Sequence, residues 1–199
     1  MIIGITGSSG AGKSTVCEIL EEEYQIKVLN ADKMAKQLSK KGNEYLTDII
    51  TLFGKEILQE NGELDRPKLA NIIYNNEEKR RKLNECTFRH IHVALQEEIK
   101  KIYTNNQKSI IAIDAPLLFE AKLEDICNLV IAVIAKDEEL QIERIIQRDH
   151  ITREQATRRL QAQMPDEFYT SKSQYVIVND GKIEDIEEQI KEVLENITL

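Results

Sequence analysis

The fold of this 199-residue chain is decided by the stretch Gly7-Ser8-Ser9-Gly10-Ala11-Gly12-Lys13-Ser14. It satisfies the pattern G-x-x-x-x-G-K-[ST] at every fixed position. The apolar run Ile2–Thr6, typical of a strand, comes before it, and a helical pattern that continues to about Tyr24 follows it. A strand, a loop and a helix in this order are the context that a phosphate-binding loop requires.

The residue types of this loop suit the phosphates of a nucleoside triphosphate. Glycines allow positive φ angles and let the backbone approach a phosphate without a Cβ atom in the way. Successive N–H groups and the helix N-terminus then form an anion-binding nest. We expect it to involve Gly10, Ala11, Gly12, Lys13, Ser14 and Thr15. Lys13 is expected to reach the β- and γ-phosphates, and the Ser14 hydroxyl to bind Mg²⁺. The alternative, a turn before a capped helix, gives Lys13 and Ser14 no role.

Composition argues against several classes of function. A net charge of −8 and a pI near 5.1 disfavour general binding to nucleic acid or to a membrane surface. Cys17, Cys86 and Cys127 lie far apart and form no C-x-x-C motif, which indicates reduced thiols in a cytoplasmic protein. Because the first strand begins at residue 2, we expect no signal peptide. The longest apolar run, Leu129–Ala135, is too short to span a bilayer.

Asp32 follows a second short strand, Lys27-Val28-Leu29. In open α/β sheets, ligands bind beyond the carboxyl ends of the strands, so Asp32 has the position of a functional residue beside the phosphate-binding strand. Aspartate is also a good N-cap for the helical segment that comes next. Position alone leaves both interpretations of Asp32 open.

Residues 33–107 have helical periodicity and no pattern of a main-sheet strand. The predicted helices are Lys33–Lys40, Glu44–Phe53, Arg66–Tyr74 and Glu77–Tyr103. An ordinary parallel crossover needs only one helix. We therefore interpret this segment as an inserted helical layer that walls the pocket of a second substrate. The alternative is that these helices only provide packing. His90 and His92 are two residues apart and do not share a helix face, so we expect surface or core histidines rather than metal ligands.

The run Ser109–Asp114 predicts a buried strand that ends in a carboxylate. This is the form of a Walker B element, whose aspartate acts on Mg²⁺ directly or through water. Asp114 is therefore a predicted metal residue together with Ser14. Pro116 breaks the strand, and the apolar residues Leu117–Phe119 either line a pocket or belong to the core.

Five of the nine arginines fall between residues 144 and 159. Arg144 and Arg148 are four residues apart and share a helix face. In an acidic chain, a lid that covers ATP would explain this clustering. The alternative is a solvated helix whose arginines pair with Glu139, Glu143 and Glu154.

The order of the predicted elements gives the fold class. Further strands are expected at Leu129–Ala135 and Tyr175–Val178, and a last helix from about Ile183 to Asn196. We predict an α/β P-loop NTPase with a doubly wound parallel sheet of about five strands, a helical insertion and an arginine-rich lid. Residues 1–199 would form one kinase domain, with the insertion at approximately 33–107 and the lid at approximately 144–165.

Several segments together resemble dephospho-coenzyme A kinases along nearly the whole chain. The most specific is Asp114-Ala115-Pro116-Leu117-Leu118-Phe119-Glu120, which matches the family's D-x-P-L-L-F-E signature. Asn30-Ala31-Asp32 stands where the family has Asp-Ala-Asp. Other similar segments are Leu64–Leu69, Gln141–Arg144 with Arg148-Asp149, Gln163-Met164-Pro165, and Tyr175–Ile177 with Asn179 and Gly181. The chain departs from the family at Asn30, at Lys36 (usually Arg), at Phe88-Arg89 (usually His-Pro) and at Tyr169 (commonly Lys). These departures concern the acceptor pocket.

The resemblance implies transfer of the γ-phosphoryl group of ATP to the ribose 3′-hydroxyl of dephospho-CoA, with Mg²⁺, to give coenzyme A. Asp32 would orient and deprotonate that hydroxyl, Lys13 and Arg144 would act on the phosphates, and Asn179 would belong to the nucleotide site. Whether Arg148 or Arg159 shares the role of Arg144 stays open. We expect a monomer or weak homo-oligomer that binds neither nucleic acid nor membranes.

Two rival functions follow from the loop alone. The first is another small-molecule P-loop kinase that acts on a nucleoside or a nucleotide, and the D-x-P-L-L-F-E segment argues against it. The second is a GTPase-type switch, whose D-x-x-G and N-K-x-D motifs the sequence lacks.

Overall fold

A computed structural model describes residues 1–74 and 76–198 of the chain. Asn75, which falls within the predicted insertion, and Leu199 lie outside the described residues. The chain forms two compact units. The sheet unit consists of Met1–Leu29 and Lys108–Leu199, and the helical unit of Asn30–Gln107.

The sheet unit is built on five parallel strands. They are β1 (Ile2–Thr6), β2 (Lys27–Asn30), β3 (Ile111–Asp114), β4 (Leu129–Ala135) and β5 (Tyr175–Asn179). Their order is β2-β3-β1-β4-β5, with β1 paired in parallel to both β3 and β4, and β4 to β5. The predicted parallel sheet of about five strands is confirmed. Since β1 is the central strand, the glycine-rich loop that follows it begins at the carboxyl end of the middle of the sheet, with β3 on one side and β4 on the other.

The described residues of the sheet unit also form five α-helices. They are α1 (Lys13–Glu22), α6 (Glu138–Asp149), α7 (Arg153–Gln161), α8 (Asp166–Thr170) and α9 (Ile183–Thr198). The central strands read as continuous apolar runs because both of their faces are covered. Ile5 of β1, Val133 of β4 and Val16 of α1 are fully buried in one apolar cluster. Ile186 and Ile190 of α9 belong to the same cluster.

The described residues of the helical unit form four α-helices, namely α2 (Ala31–Leu38), α3 (Glu44–Phe53), α4 (Arg66–Tyr74) and α5 (Glu77–Asn105). Ile49 and Phe53 of α3, Leu69 of α4 and Cys86 of α5 are buried in a separate apolar cluster. Among the described residues of this unit, the only strand pairing is one antiparallel bridge between Leu58 and Leu64. The expected absence of main-sheet strands after Asn30 therefore holds for the described part of the segment.

Element boundaries differ from the sequence predictions by a few residues. Helix α2 begins at Ala31, two residues early, because the Asn30 side chain caps it by accepting a hydrogen bond from Lys33 N at 2.8 Å. The third strand begins at Ile111 instead of Ser109. Over the described residues, every helix is too short or too polar to cross a membrane.

Candidate active site

The glycine-rich loop lies so close to β4 and β5 that two of its glycines have no room for a side chain. Gly7 has a φ of 138°, and a Cβ atom there would lie 2.0 Å from the backbone oxygen of Val133. Gly12, the N-cap of α1, has a φ of 105°, and a Cβ atom there would lie 1.8 Å from Nδ2 of Asn179. Only glycine meets both the backbone angle and the clearance at these positions.

Asn179, the last residue of β5, holds the loop from the side. Its amide is buried, and Nδ2 donates a hydrogen bond to the backbone oxygen of Ala11 at 3.0 Å. Its Oδ1 accepts from Arg144 Nη2 at 2.8 Å and from Gly181 N at 3.0 Å. Because both ends of a buried amide are used, its orientation is determined. Asn179 thus links the loop to the arginine that the sequence singled out.

Lys13 and Ser14 are the first two residues of α1. The Lys13 ammonium donates to the backbone oxygens of Gly7 at 2.6 Å and Ser8 at 2.9 Å, so it lies over the loop. The N-cap residue, Gly12, has no side chain that could cap this helix, and the first turn, Lys13–Val16, carries no acidic residue. An anion at the helix N-terminus would satisfy the N–H groups and interact favourably with the helix dipole.

Asp114 ends β3 and is buried, with Ile5 of β1 as its register partner. Its carboxylate interacts electrostatically with the Cys17 thiol of α1. Burial raises the pKa of this thiol most, the Asp114 carboxylate raises it further, and the Lys13 ammonium lowers it. Asp114 and Lys13 therefore both lie within electrostatic reach of the same point on α1.

Asp32 lies in the first turn of α2 and is exposed. The interpretation of Asp32 as the N-cap of this helix is wrong, because Asn30 occupies that position and makes the capping hydrogen bond. An acidic residue in the first turn interacts favourably with the helix dipole. Asp32 belongs to the helical unit, whereas Lys13, Ser14, Asp114, Arg144 and Asn179 belong to the sheet unit.

The five clustered arginines divide into two groups. Arg144 donates to Asn179 Oδ1 and to Gly10 O at 3.4 Å, and Arg148 Nη2 donates to Ser9 Oγ at 2.9 Å. Arg153 pairs with Glu139 and Arg158 with Glu154 at the surface. Arg159 pairs with the half-buried Asp149, which also pairs with Arg148. Arg144 and Arg148 thus contact the loop, while two of the three predicted glutamate partners are used by Arg153 and Arg158.

The segment after Asp114 is mostly core. Of the apolar residues Leu117–Phe119, Leu118 and Phe119 are buried, whereas Leu117 has 44% of its surface exposed. Phe119 packs edge to face against Phe168 of α8, with ring centroids 5.7 Å apart. The ammonium of Lys172 lies 4.4 Å from the Phe168 centroid, in the range of a cation–π contact.

Sequence reasoning did not assign roles to two glutamines that contact the loop. Gln141 of α6 is buried, and its side chain bonds Ser8 and Ser9, while Gln163 bonds the backbone of Ser9. Both appeared only within segments that carry the family resemblance. A buried polar residue on the apolar face of a predicted helix is the signal that could have identified Gln141.

His90 has polar neighbours that the spacing of His90 and His92 did not suggest. Ligand atoms of Asp48, Cys86 and His90 lie within 4.8 Å of one another. Asp48 Oδ2 already binds His90 Nε2 at 2.7 Å and Arg89 Nη2 at 2.5 Å. With two donors on one carboxylate oxygen, the group forms a polar network between α3 and α5.

Comparison with known proteins gives one consistent family. Residues 1–185 match the family model for dephospho-CoA kinase. The chain is 39% identical over 199 residues to a dephospho-CoA kinase from Bacillus cereus, covering 98% of this chain and 96% of the relative. It is similar to the solved dephospho-CoA kinase from Campylobacter jejuni, with 28% identity, a TM-score of 0.69 and coverage of 98% and 96%. A shikimate kinase from Acinetobacter baumannii, at 20% identity, a TM-score of 0.56 and coverage of 100% and 94%, shares the fold.

Proposed function

The chain belongs to the dephospho-CoA kinase family, and we propose that it transfers the γ-phosphoryl group of ATP to the ribose 3′-hydroxyl of dephospho-CoA, giving coenzyme A. The observation that carries this proposal is the family match over residues 1–185, which spans the loop between β1 and α1 as well as the helical unit. Phosphoryl transfer depends on positioning and on neutralising charge more than on covalent catalysis. The side chains of the candidate site would either position the substrates or neutralise charge on the phosphates.

The ATP phosphates would bind at the nest formed by Gly10, Ala11, Gly12, Lys13, Ser14 and Thr15. The uncapped N-terminus of α1 supports this assignment, since its N–H groups suit an anion. Lys13 would exchange its contacts with the Gly7 and Ser8 carbonyls for the β- and γ-phosphates. Asn179 would keep the loop in shape from the side of β5 through its bond to Ala11.

Ser14 and Asp114 would hold Mg²⁺ directly or through its waters. The fit rests on the chemistry of the donors, because a hydroxyl and a carboxylate are the hard oxygen ligands that Mg²⁺ prefers. Asp114 is buried at the carboxyl end of the strand next to β1, and Ser14 opens α1. When bound, the ion would supply positive charge that offsets the charge of the phosphates.

Asp32 would act as the general base on the acceptor hydroxyl. Two observations support this choice. Asn30 performs the capping of α2, so that Asp32 is not needed for this structural task, and its carboxylate is exposed in the first turn of α2. The helical unit, at approximately residues 33–107, would hold the rest of dephospho-CoA.

Arg144 and Arg148 would cover the triphosphate as part of a lid at approximately residues 144–165. Support comes from their contacts with Gly10 and Ser9, which place both guanidinium groups at the loop. Arginine suits this task because its planar group of donors matches phosphate geometry. Closure of the lid would exclude water and suppress hydrolysis of ATP.

The test is an assay of the full chain with ATP, Mg²⁺ and dephospho-CoA, in which the product is identified by its mass. We expect coenzyme A and ADP in equal amounts. A panel of other acceptors, including nucleosides, nucleotides and shikimate, should give no comparable turnover. Faster phosphorylation of another acceptor would favour the rival of a different small-molecule kinase.

A further inference from the structure

Ser9 of the phosphate-binding loop has all of its polar groups bonded by side chains from outside the loop. Its N–H donates to Gln163 Oε1 at 2.7 Å. Its backbone oxygen accepts from Gln141 Nε2 at 2.8 Å. Its hydroxyl accepts from Arg148 Nη2 at 2.9 Å. Three side chains from more than 130 positions along the chain therefore converge on one loop residue.

Ser8 is held in the same way and is almost fully buried, with 2% of its surface exposed. Its hydroxyl accepts from Gln141 Nε2 at 2.6 Å and donates to Asp166 Oδ1 at 3.3 Å. The backbone oxygen of Ser8 also accepts from Lys13. The side chain of Gln141 thus bonds two consecutive loop residues, and it is itself 4% exposed.

We propose that Gln141 and Gln163 are positioning residues for phosphoryl transfer. They hold Ser8 and Ser9 so that the backbone N–H groups that follow in the loop are arranged for the phosphates before ATP arrives. This inference rests on the proposed function, because it requires that the loop bind ATP. A preorganised set of donors needs no rearrangement during the reaction, which is the main source of electrostatic catalysis.

The two glutamines have opposite hydrogen-bonding roles, and the chemistry of the partners determines both. A backbone oxygen can only accept, so the amide nitrogen of Gln141 must face Ser9. A backbone N–H can only donate, so the amide oxygen of Gln163 must face Ser9. An ionised carboxylate accepts but does not donate. A glutamate at position 163 should therefore still accept the hydrogen bond from Ser9 N–H. A glutamate at position 141 cannot donate to the backbone oxygen of Ser9.

The experiment compares glutamate and leucine at both positions in the full chain. The variants are Gln141→Glu, Gln141→Leu, Gln163→Glu and Gln163→Leu. Asn196→Leu and Asn196→Asp on α9 are the controls for a lost amide and for an added negative charge, because this side chain is exposed and lies outside residues 144–165. The readouts are the affinity for ATP with Mg²⁺ by calorimetry, kcat, the KM of each substrate, and Tm.

We expect both Gln141 variants and Gln163→Leu to lose roughly 5- to 100-fold in kcat/KM for ATP, as for a lost bond that leaves a buried group unsatisfied. The KM for dephospho-CoA should change little. Gln163→Glu should recover most of the loss, because its carboxylate can still accept the hydrogen bond from Ser9 N–H. If Gln141→Glu fails to fold, the pair of Gln163 variants decides the question alone.

Two results would overturn the proposal. One is a Gln163→Glu variant that is as impaired as Gln163→Leu while Asn196→Asp has normal activity. The other is a loss that falls equally on both substrates and follows Tm, as a purely structural role requires. If the wild-type chain binds ATP but makes no coenzyme A, the proposed function fails, and the calorimetric affinities still test the positioning role.

Discussion

The phosphate-binding loop and the helical unit use polar side chains in opposite ways. Around the loop, Ser8, Gln141 and Asn179 are buried and bond backbone atoms or each other. In the helical unit, pairs such as Arg81–Glu85 and Lys82–Glu78 are exposed, with an apolar cluster beneath. Exposed pairs contribute about 0–1 kcal/mol to stability. The buried polar groups around the loop therefore hold its backbone in place, whereas these exposed pairs contribute little to stability. Equivalent substitutions in the two regions should have different consequences.

The largest expected effect is at Lys13. Lys13→Ala removes the charge that follows the transferred phosphoryl group, and turnover should fall by roughly 10³-fold or more. The fold should survive because Lys13 is only partly buried and its ammonium lies over the loop. The matched control is Lys82→Ala in the helical unit, which loses only an exposed pair. Steady-state kinetics with a Tm for each variant provide the measurement, and near-normal turnover of folded Lys13→Ala would refute the assignment of the loop.

Asp32 is the one residue of the helical unit for which we expect an effect of similar size. Asp32→Asn should keep ATP affinity nearly unchanged and lower kcat roughly 10²- to 10⁴-fold, as for a lost general base. Asp114→Asn should instead shift the dependence of the rate on Mg²⁺. Asn30 cannot replace the base, because a neutral amide accepts no proton at neutral pH.

The measurement is kcat and ATP affinity for the variants of Asp32 and Asp114 across a Mg²⁺ titration. Normal turnover of Asp32→Asn, or complete rescue of its defect by excess Mg²⁺, would make Asp114 the candidate base. The general base and the phosphate-binding residues would then all belong to the sheet unit.

A smaller effect is expected from the arginines between residues 144 and 159. Some of them contact the loop, and others form exposed ion pairs. Arg144→Ala loses contacts with the loop and should reduce kcat/KM roughly 10- to 100-fold, the range for hydrogen bonds to charged groups. Arg158→Ala loses one exposed pair with Glu154 and should stay within about twofold. ATP should also protect residues 144–159 from limited proteolysis. An unchanged cleavage pattern with ATP would favour the solvated-helix interpretation over the lid.

The smallest effect concerns the acid stability of the helical unit. The hydrogen bond from His90, and then the charge of Arg89, hold the pKa of Asp48 below its ordinary value of 3.8. A lowered pKa in the folded state means that this network stabilises the fold above pH 3.8 and that the contribution is lost as the pH falls toward the lowered value. Asp48→Asn should therefore flatten the decline of Tm at acid pH. Glu85→Gln is the control, and equal acid limbs for Asp48→Asn and wild type would contradict the prediction.

The elements near the loop could be predicted because their signals are local. The positions of Gly7, Gly12 and Lys13 define a turn and a helix start within a few residues, and the apolar run Leu129–Ala135 was predicted with its observed bounds. The cap of α2 was not predicted: Asp32 alone was considered, and Asn30, two residues earlier, is an equally good cap. Only the observed bond from Lys33 N to the Asn30 side chain decides between them.

By itself, the sequence determined the fold class, the phosphate-binding loop and the family, because each rests on residue types at fixed spacing along the chain. Tertiary structure decided which side chains reach the loop. Arg144 meets Asn179 across 35 residues and Gln163 meets Ser9 across 154 residues, whereas Arg153 and Arg158 turn to exposed glutamates nearby. Helical periodicity specifies the face of a side chain but not its partner. The partner depends on the order of the strands, which places β5 and α6 beside the loop only after the sheet has formed.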